Sequence, residues 1–140
     1  MNFKNWYNYS TPEFKIKNGG NYSIEKPSIW KLDFIIKKNT TIKLEFNFSW
    51  NSLITIISHE NGTVKRFQLK RQSIWKPNYL LTNDSNQQLC CITSQFSWKN
   101  WKTNYQIIEN EIFPVIEDIE ILYLSIIHCI VMKNNNATGA

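Results

Sequence analysis

The stretch that decides the fold is residues 121–132, ILYLSIIHCIVM, in which only Ser125 and His128 are polar. Glu117, Asp118 and Glu120 stand ahead of it and Lys133 behind it, an arrangement that complements a helix dipole. A helix over 117–132 is therefore predicted, followed by a disordered Asn-rich tail, 134–140. Two polar residues do not make a wet face, and a helix apolar all round has to be enclosed. Lipid is a poor enclosure for this one. A membrane span takes about 20 apolar residues, and extending the run backwards would bury three acids at roughly 2.5 to 3.5 kcal/mol each. Protein has to surround it instead.

The preceding chain supplies strands to do so. Residues 41–50, TIKLEFNFSW, put Ile42, Leu44, Phe46, Phe48 and Trp50 on one face and Lys43, Glu45, Asn47 and Ser49 on the other, the period of a half-buried strand. Trp30, Leu32, Phe34 and Ile36 alternate in the same way, and 37–40 turns between the two runs. Residues 53–59, LITIISH, are apolar on both faces, as where a strand is covered from each side. Asn61-Gly62 marks a tight hairpin into 64–70, with Phe67 and Leu69 inward and Arg66, Gln68 and Lys70 outward. WKPNY at 75–79 and WKTNY at 101–105 echo each other, and each leads into a strand, 79–82 and 105–109, with another at 89–94. Shorter strands are predicted at 14–17 and 22–26 around Gly19-Gly20, and 6–9 and 97–101 are candidates for two more.

Curling a sheet round a helix about 10 Å wide takes roughly 11 or 12 strands. Twelve helical residues span about 18 Å, close to the length of a strand of average size. The expected fold is thus mainly β, one domain over residues 1–140: a closed antiparallel β-barrel of about twelve strands around a hydrophobic C-terminal helix. The alternatives are a lipocalin-like carrier of a small hydrophobic ligand, with the helix outside an empty barrel, and a tail-anchored membrane protein.

The segment 67–93 (FQLKRQSIWKPNYLLTNDSNQQLCCIT), the stretch 98–107 (WKNWKTNYQI) and the terminal helix 121–132 resemble the superfamily of tubby C-terminal domains, plant LURP-one-related proteins and phospholipid scramblases. The resemblance covers roughly the last half of the chain. It implies a twelve-stranded barrel threaded by a hydrophobic C-terminal helix, and a non-enzymatic module that interacts with lipid or associates with membranes.

The formal net charge is +5, and it comes mostly from lysine in a chain rich in Asn, Ile and Lys together. AT-rich coding produces that combination without any partner, so no nucleic-acid binding is expected. The opening MNFKNWYNYS has no apolar core of a secretory leader. Cys90, Cys91 and Cys129 are an odd set with no Cys-X-X-Cys spacing, so reduced thiols in a cytoplasm are expected. Neither His59 nor His128 has a second ligand at metal spacing, and no nucleophile elbow or Gly-rich phosphate loop occurs. No enzymatic activity, cofactor or metal is expected. Cys90 and Cys91 should face opposite sides of a strand, while His128 reads as a neutral core imidazole and Cys129 as a small buried hydrophobe.

What remains is cationic. Lys65, Arg66, Lys70 and Arg71 are the densest basic group, and Lys76 and Lys102 lie beside Trp75 and Trp101. These six are the candidate contacts to an anionic membrane surface or a protein partner, which makes the chain a cytoplasmic protein peripheral to a membrane. Trp75, Trp98 and Trp101 are expected to pack at the barrel ends inside a ring of lysines; the other reading puts them at a membrane interface.

Overall fold

The computed structural model describes residues 2–4, 13–16, 20–26, 32–49, 53–73, 75–99, 101–114, 116 and 119–138. They form ten strands, β1 (Asn2–Lys4), β2 (Glu13–Ile16), β3 (Gly20–Glu25), β4 (Phe34–Lys38), β5 (Thr41–Phe48), β6 (Ile54–Glu60), β7 (Thr63–Ser73), β8 (Lys76–Asn83), β9 (Gln88–Ser97) and β10 (Lys102–Glu109), and one helix, α1 (Ile119–Thr138). The strands make one antiparallel sheet in the order β1-β10-β9-β8-β7-β6-β5-β4-β3-β2. From β2 to β10 every strand pairs with its successor, a meander to which β1 adds on the free side of β10. Asn39, Asn61 and Asn86 sit at positive φ in the tight turns, where asparagine tolerates the left-handed conformation best after glycine.

The sheet is open. Its edges, β1 and β2, are three and four residues long and do not pair with each other, so the expected closed barrel of about twelve strands is overturned. The nine strand periods read from the sequence all correspond to strands. Of the two extra candidates, 97–101 adds none, since residue 97 ends β9 and 98, 99 and 101 lie in a turn, and 6–9 lie outside the described residues. β1 instead comes from residues too few to show a period.

Open does not mean flat. Ten strands about 4.8 Å apart would stretch roughly 43 Å if flat, whereas the nine steps from Lys4 to Glu13 reach at most about 30 Å. The sheet must therefore curve back on itself. Register shifts at Ile36/Lys37, Arg71/Ser73 and Leu81/Thr82 are where strands bend most readily, because a bulge raises local twist.

The eight strands β3 to β10 line the inside of the curve with Tyr22, Phe34, Phe46, Ile56, Leu69, Leu81, Ile92 and Ile107, all buried. Within the same space lies α1, where every residue from Ile121 to Met132 is buried except the half-buried Leu124. Its neighbours come from well-separated strands. His128 meets the Phe34 ring edge-on at 5.2 Å, the Lys133 ammonium stands 5.5 Å over the Tyr79 ring, and the Tyr123 hydroxyl donates to Glu109. Phe34 in turn stacks on its cross-strand partner Phe46 at 4.5 Å. The helix runs on to Thr138, so the segment expected to be a disordered tail is helical as far as that residue. No helix among the described residues is long and apolar enough to cross a membrane. β6 departs from expectation too: Ile54, Ile56 and Ser58 are buried but Thr55, Ile57 and His59 only partly so, so one of its faces is covered and the other is not.

Deleting part of a fully enclosed side chain leaves a cavity. Ile126→Ala is expected to lower the unfolding free energy by about 2–5 kcal/mol, whereas Ile108→Ala, at a position 50% exposed, should cost about 1 kcal/mol or less; urea denaturation reads both. Burial lowers the His128 imidazole to about 4, with the charge of Lys26 a smaller contribution. Below about pH 6.5 the unfolded chain takes the proton first, so this contribution is complete above that pH and is lost as the pH falls towards 4. Wild type should therefore lose up to about 2.5 kcal/mol more than His128→Leu between pH 7 and pH 4.5.

Candidate functional site

An antiparallel meander has two rims, and the chain reverses at each. At one rim lie the β7–β8 and β9–β10 turns, and α1 ends there, since Lys133 covers Tyr79 near the start of β8. At the other lie the β6–β7 and β8–β9 turns, and α1 begins there, its Ile121 and Leu122 sharing a small cavity with Ser58, His59 and Glu60.

The six cations singled out in the sequence are not one patch. Lys65 belongs to the rim where α1 begins and pairs with Glu60 at 3.7 Å. Arg66 and Lys70 alternate with the buried Phe67 and Leu69 and so stand on the outer face of β7. Arg71 pairs across strands with Tyr79, which brings it to the other rim beside Lys133. Lys76 and Lys102 open β8 and β10 at that same rim.

Charge along the helix axis is uneven. At the rim where α1 ends stand Lys26, Arg71, Lys99 and Lys133, with the Lys76 and Lys102 positions. The described acids there are Glu25, bonded to Lys37 at 3.0 Å, Asp33, which accepts the Phe48 backbone N–H at 2.8 Å, and the Glu13 position, which opens β2. Glu60, Asp84, Glu109, Glu111 and Glu120 gather at the opposite rim, among Lys38, Lys43 and Lys65. The basic rim faces the negative end of the α1 dipole, the favourable sense.

The basic rim is also aromatic. Trp75, at the β7–β8 turn, is 87% exposed, and Trp98 and Trp101, at the β9–β10 turn, are 75% and 72% exposed. They are not packed away at the sheet ends as the sequence reading expected. Phe96 joins them: its ring lies 4.9 Å from Trp98 and 5.9 Å from Trp101, and the two indoles are 5.7 Å apart. The rings meet at 73° to 88°, so they form a wedge with no common flat face on which bases or sugars could stack in a row. Trp101 holds a φ of +54°, a left-handed backbone costing of order 1 kcal/mol for a bulky side chain. Lys99 lies between the two indoles in sequence and is exposed.

Elsewhere, reactive chemistry is suppressed. Cys90 and Cys91 do face opposite sides, Cys90 buried and Cys91 half-buried. Burial, then the charge of Glu109, pushes the Cys90 thiol up to about 12. Burial also raises Cys91 and Cys129. Tyr123 is raised by burial and by its bond to the Glu109 carboxylate. Thiolate is the reactive form, so these shifts oppose a nucleophilic role. The cavity at the start of α1 measures about 20 Å³, room for one water. A groove of about 290 Å³ between Arg66, Phe67, Asp84 and Ile112 lies at the lower limit of small-molecule sites and is wide open to solvent. With α1 inside the curve, the space a lipocalin-like carrier would keep for its ligand is taken.

No family model matches the chain, and no curated protein or solved structure matches it. Of the residues at the basic rim, sequence reasoning missed Phe96, Lys26 and Lys133. Phe96 lies two residues before Trp98 and so shares its strand face, a signal that was present. Lys26 and Lys133 are brought there by the curvature of the sheet, which no local pattern encodes.

Cys90 and Cys129 should resist iodoacetamide in the folded protein at pH 7.5 and react only at the rate of unfolding, with Cys91 the sole site of slow labelling in mass spectra.

Proposed function

We propose that the chain is a non-enzymatic binding module that docks on anionic membrane surfaces through the rim at which α1 ends. The observation that carries this reading is the separation of charge along the helix axis: Lys26, Arg71, Lys99 and Lys133 at one rim and Glu60, Asp84, Glu109, Glu111 and Glu120 at the other. A surface of acidic lipid attracts basic side chains by about 1 kcal/mol each within a Debye length, and it would repel the acidic rim if that end approached instead. The molecule is thereby oriented as well as attracted. Raised thiol pKa values and an interior filled by α1 favour binding over catalysis or carriage.

Co-sedimentation with vesicles tests this. Vesicles containing phosphatidylserine should bind the protein, and pure phosphatidylcholine vesicles should not. Binding should weaken steeply with salt, and Arg71→Glu with Lys99→Glu should weaken it at least about tenfold, while Lys43→Glu at the far rim should leave it unchanged. Equal binding to both kinds of vesicle removes the proposal.

A further inference from the structure

We propose that the tips of two neighbouring hairpins, β7–β8 carrying Trp75 and β9–β10 carrying Phe96, Trp98 and Trp101, insert into the interfacial layer of an anionic bilayer. The inference rests on the docking reading above and adds to it the mode of contact: the cations bring the rim to the surface, and the aromatic rings enter it.

Placement carries the first part. β8 and β9 are adjacent and antiparallel, with Tyr79 opposite Ile92. The turn before β8 and the turn after β9 therefore lie side by side at one rim, and both project beyond the paired strands. Trp75, Trp98 and Trp101 are the most exposed large apolar side chains among the described residues. Tyr22, Phe34, Phe46, Phe67, Tyr79, Tyr105 and Tyr123 are buried, whereas these three indoles stand on two tips and are presented to something outside the molecule.

The chemistry of the rings decides what that something is. An indole has an apolar body and one N–H donor, the combination that concentrates tryptophan at the boundary between headgroups and acyl chains. Packed at steep angles, the rings form a wedge that parts headgroups more readily than it covers a flat partner. Trp101 keeps its left-handed backbone where asparagine or glycine would be easier, and that backbone aims its indole at Trp98 and Phe96. Lys99 on the same tip and Arg71 beside the other match the wedge to lipid of negative charge. Electrostatic attraction fades with salt, whereas apolar insertion does not, so the two contributions separate experimentally.

The probe is a vesicle of equal parts phosphatidylcholine and phosphatidylserine, with and without bromine on the acyl chains, added to the full chain. Wild-type tryptophan emission should shift to the blue and be quenched by the brominated chains. The Trp98→Ser/Trp101→Ser double variant should bind roughly tenfold more weakly, and the binding left to it should vanish at high salt. If wild type binds these vesicles but brominated chains leave its emission unchanged, the insertion is wrong and docking by charge alone stands. If wild type does not bind them at all, both readings fall. A concentration-dependent dimer in lipid-free solution that shields the same tryptophans would assign the wedge to a second copy of the chain and overturn the insertion. The chain holds six tryptophans, so the quenching is assigned by difference: it should persist in a Trp6→Phe/Trp30→Phe/Trp50→Phe variant, and its loss there would overturn the insertion of these tips.

Discussion

Everything in this molecule depends on enclosing one helix that has no side fit for water. Between residues 121 and 132 α1 offers two polar side chains, Ser125 and His128, and both are buried with the rest. A helix like this cannot rest on a flat sheet, because the far half of its surface would remain wet. It forces the meander to curve, and the curve in turn gives the β3 to β10 strands a common inside. Isoleucine and valine, which are weak helix formers, are tolerated in α1 because enclosure, not propensity, holds it. The neutral state of His128 and the inert thiols of Cys90 and Cys129 follow from the same desolvation.

Much of this was legible in the residues. The alternation from Leu44 to Phe48, the Asn61-Gly62 turn and the apolar run in α1 each have one dominant physical reading, and the structure follows it, whereas Ile42, beside the β4–β5 bulge, is exposed. What failed was closure. Whether a curved sheet meets itself depends on its edge strands; β1, three residues long, is too short to carry a period of its own, and the period that marks β2 does not say what the strand pairs with. Short edges are also how open sheets limit pairing with other chains. The candidate surface was half legible: Trp75, Trp98 and Trp101 with their lysines were visible as a group, but their exposure was not. An indole in a turn reads the same whether it folds back on the sheet or stands away from it. The basic stretch 65–71 misled for a simpler reason, since four cations close in sequence on a strand are divided between two faces and two rims.

Curvature also organises charge. With the connections of a meander alternating between rims, residues far apart in the chain, such as Lys26, Arg71, Lys99 and Lys133, come together at one end. Glu109, Glu111 and Glu120 lie at the other. The axis of the helix, the gradient of charge and the aromatic tips therefore share one direction, which gives a small protein a top and a bottom.

Amide hydrogen exchange across residues 121–132 is the measurement to make. If strands wrap α1, these amides exchange only through global unfolding and belong with those of β6 and β7 in the slowest class. Exchange in 121–132 that is orders of magnitude faster than in β6 and β7 would mean that the helix leaves the sheet on its own, and the enclosure described here would be wrong.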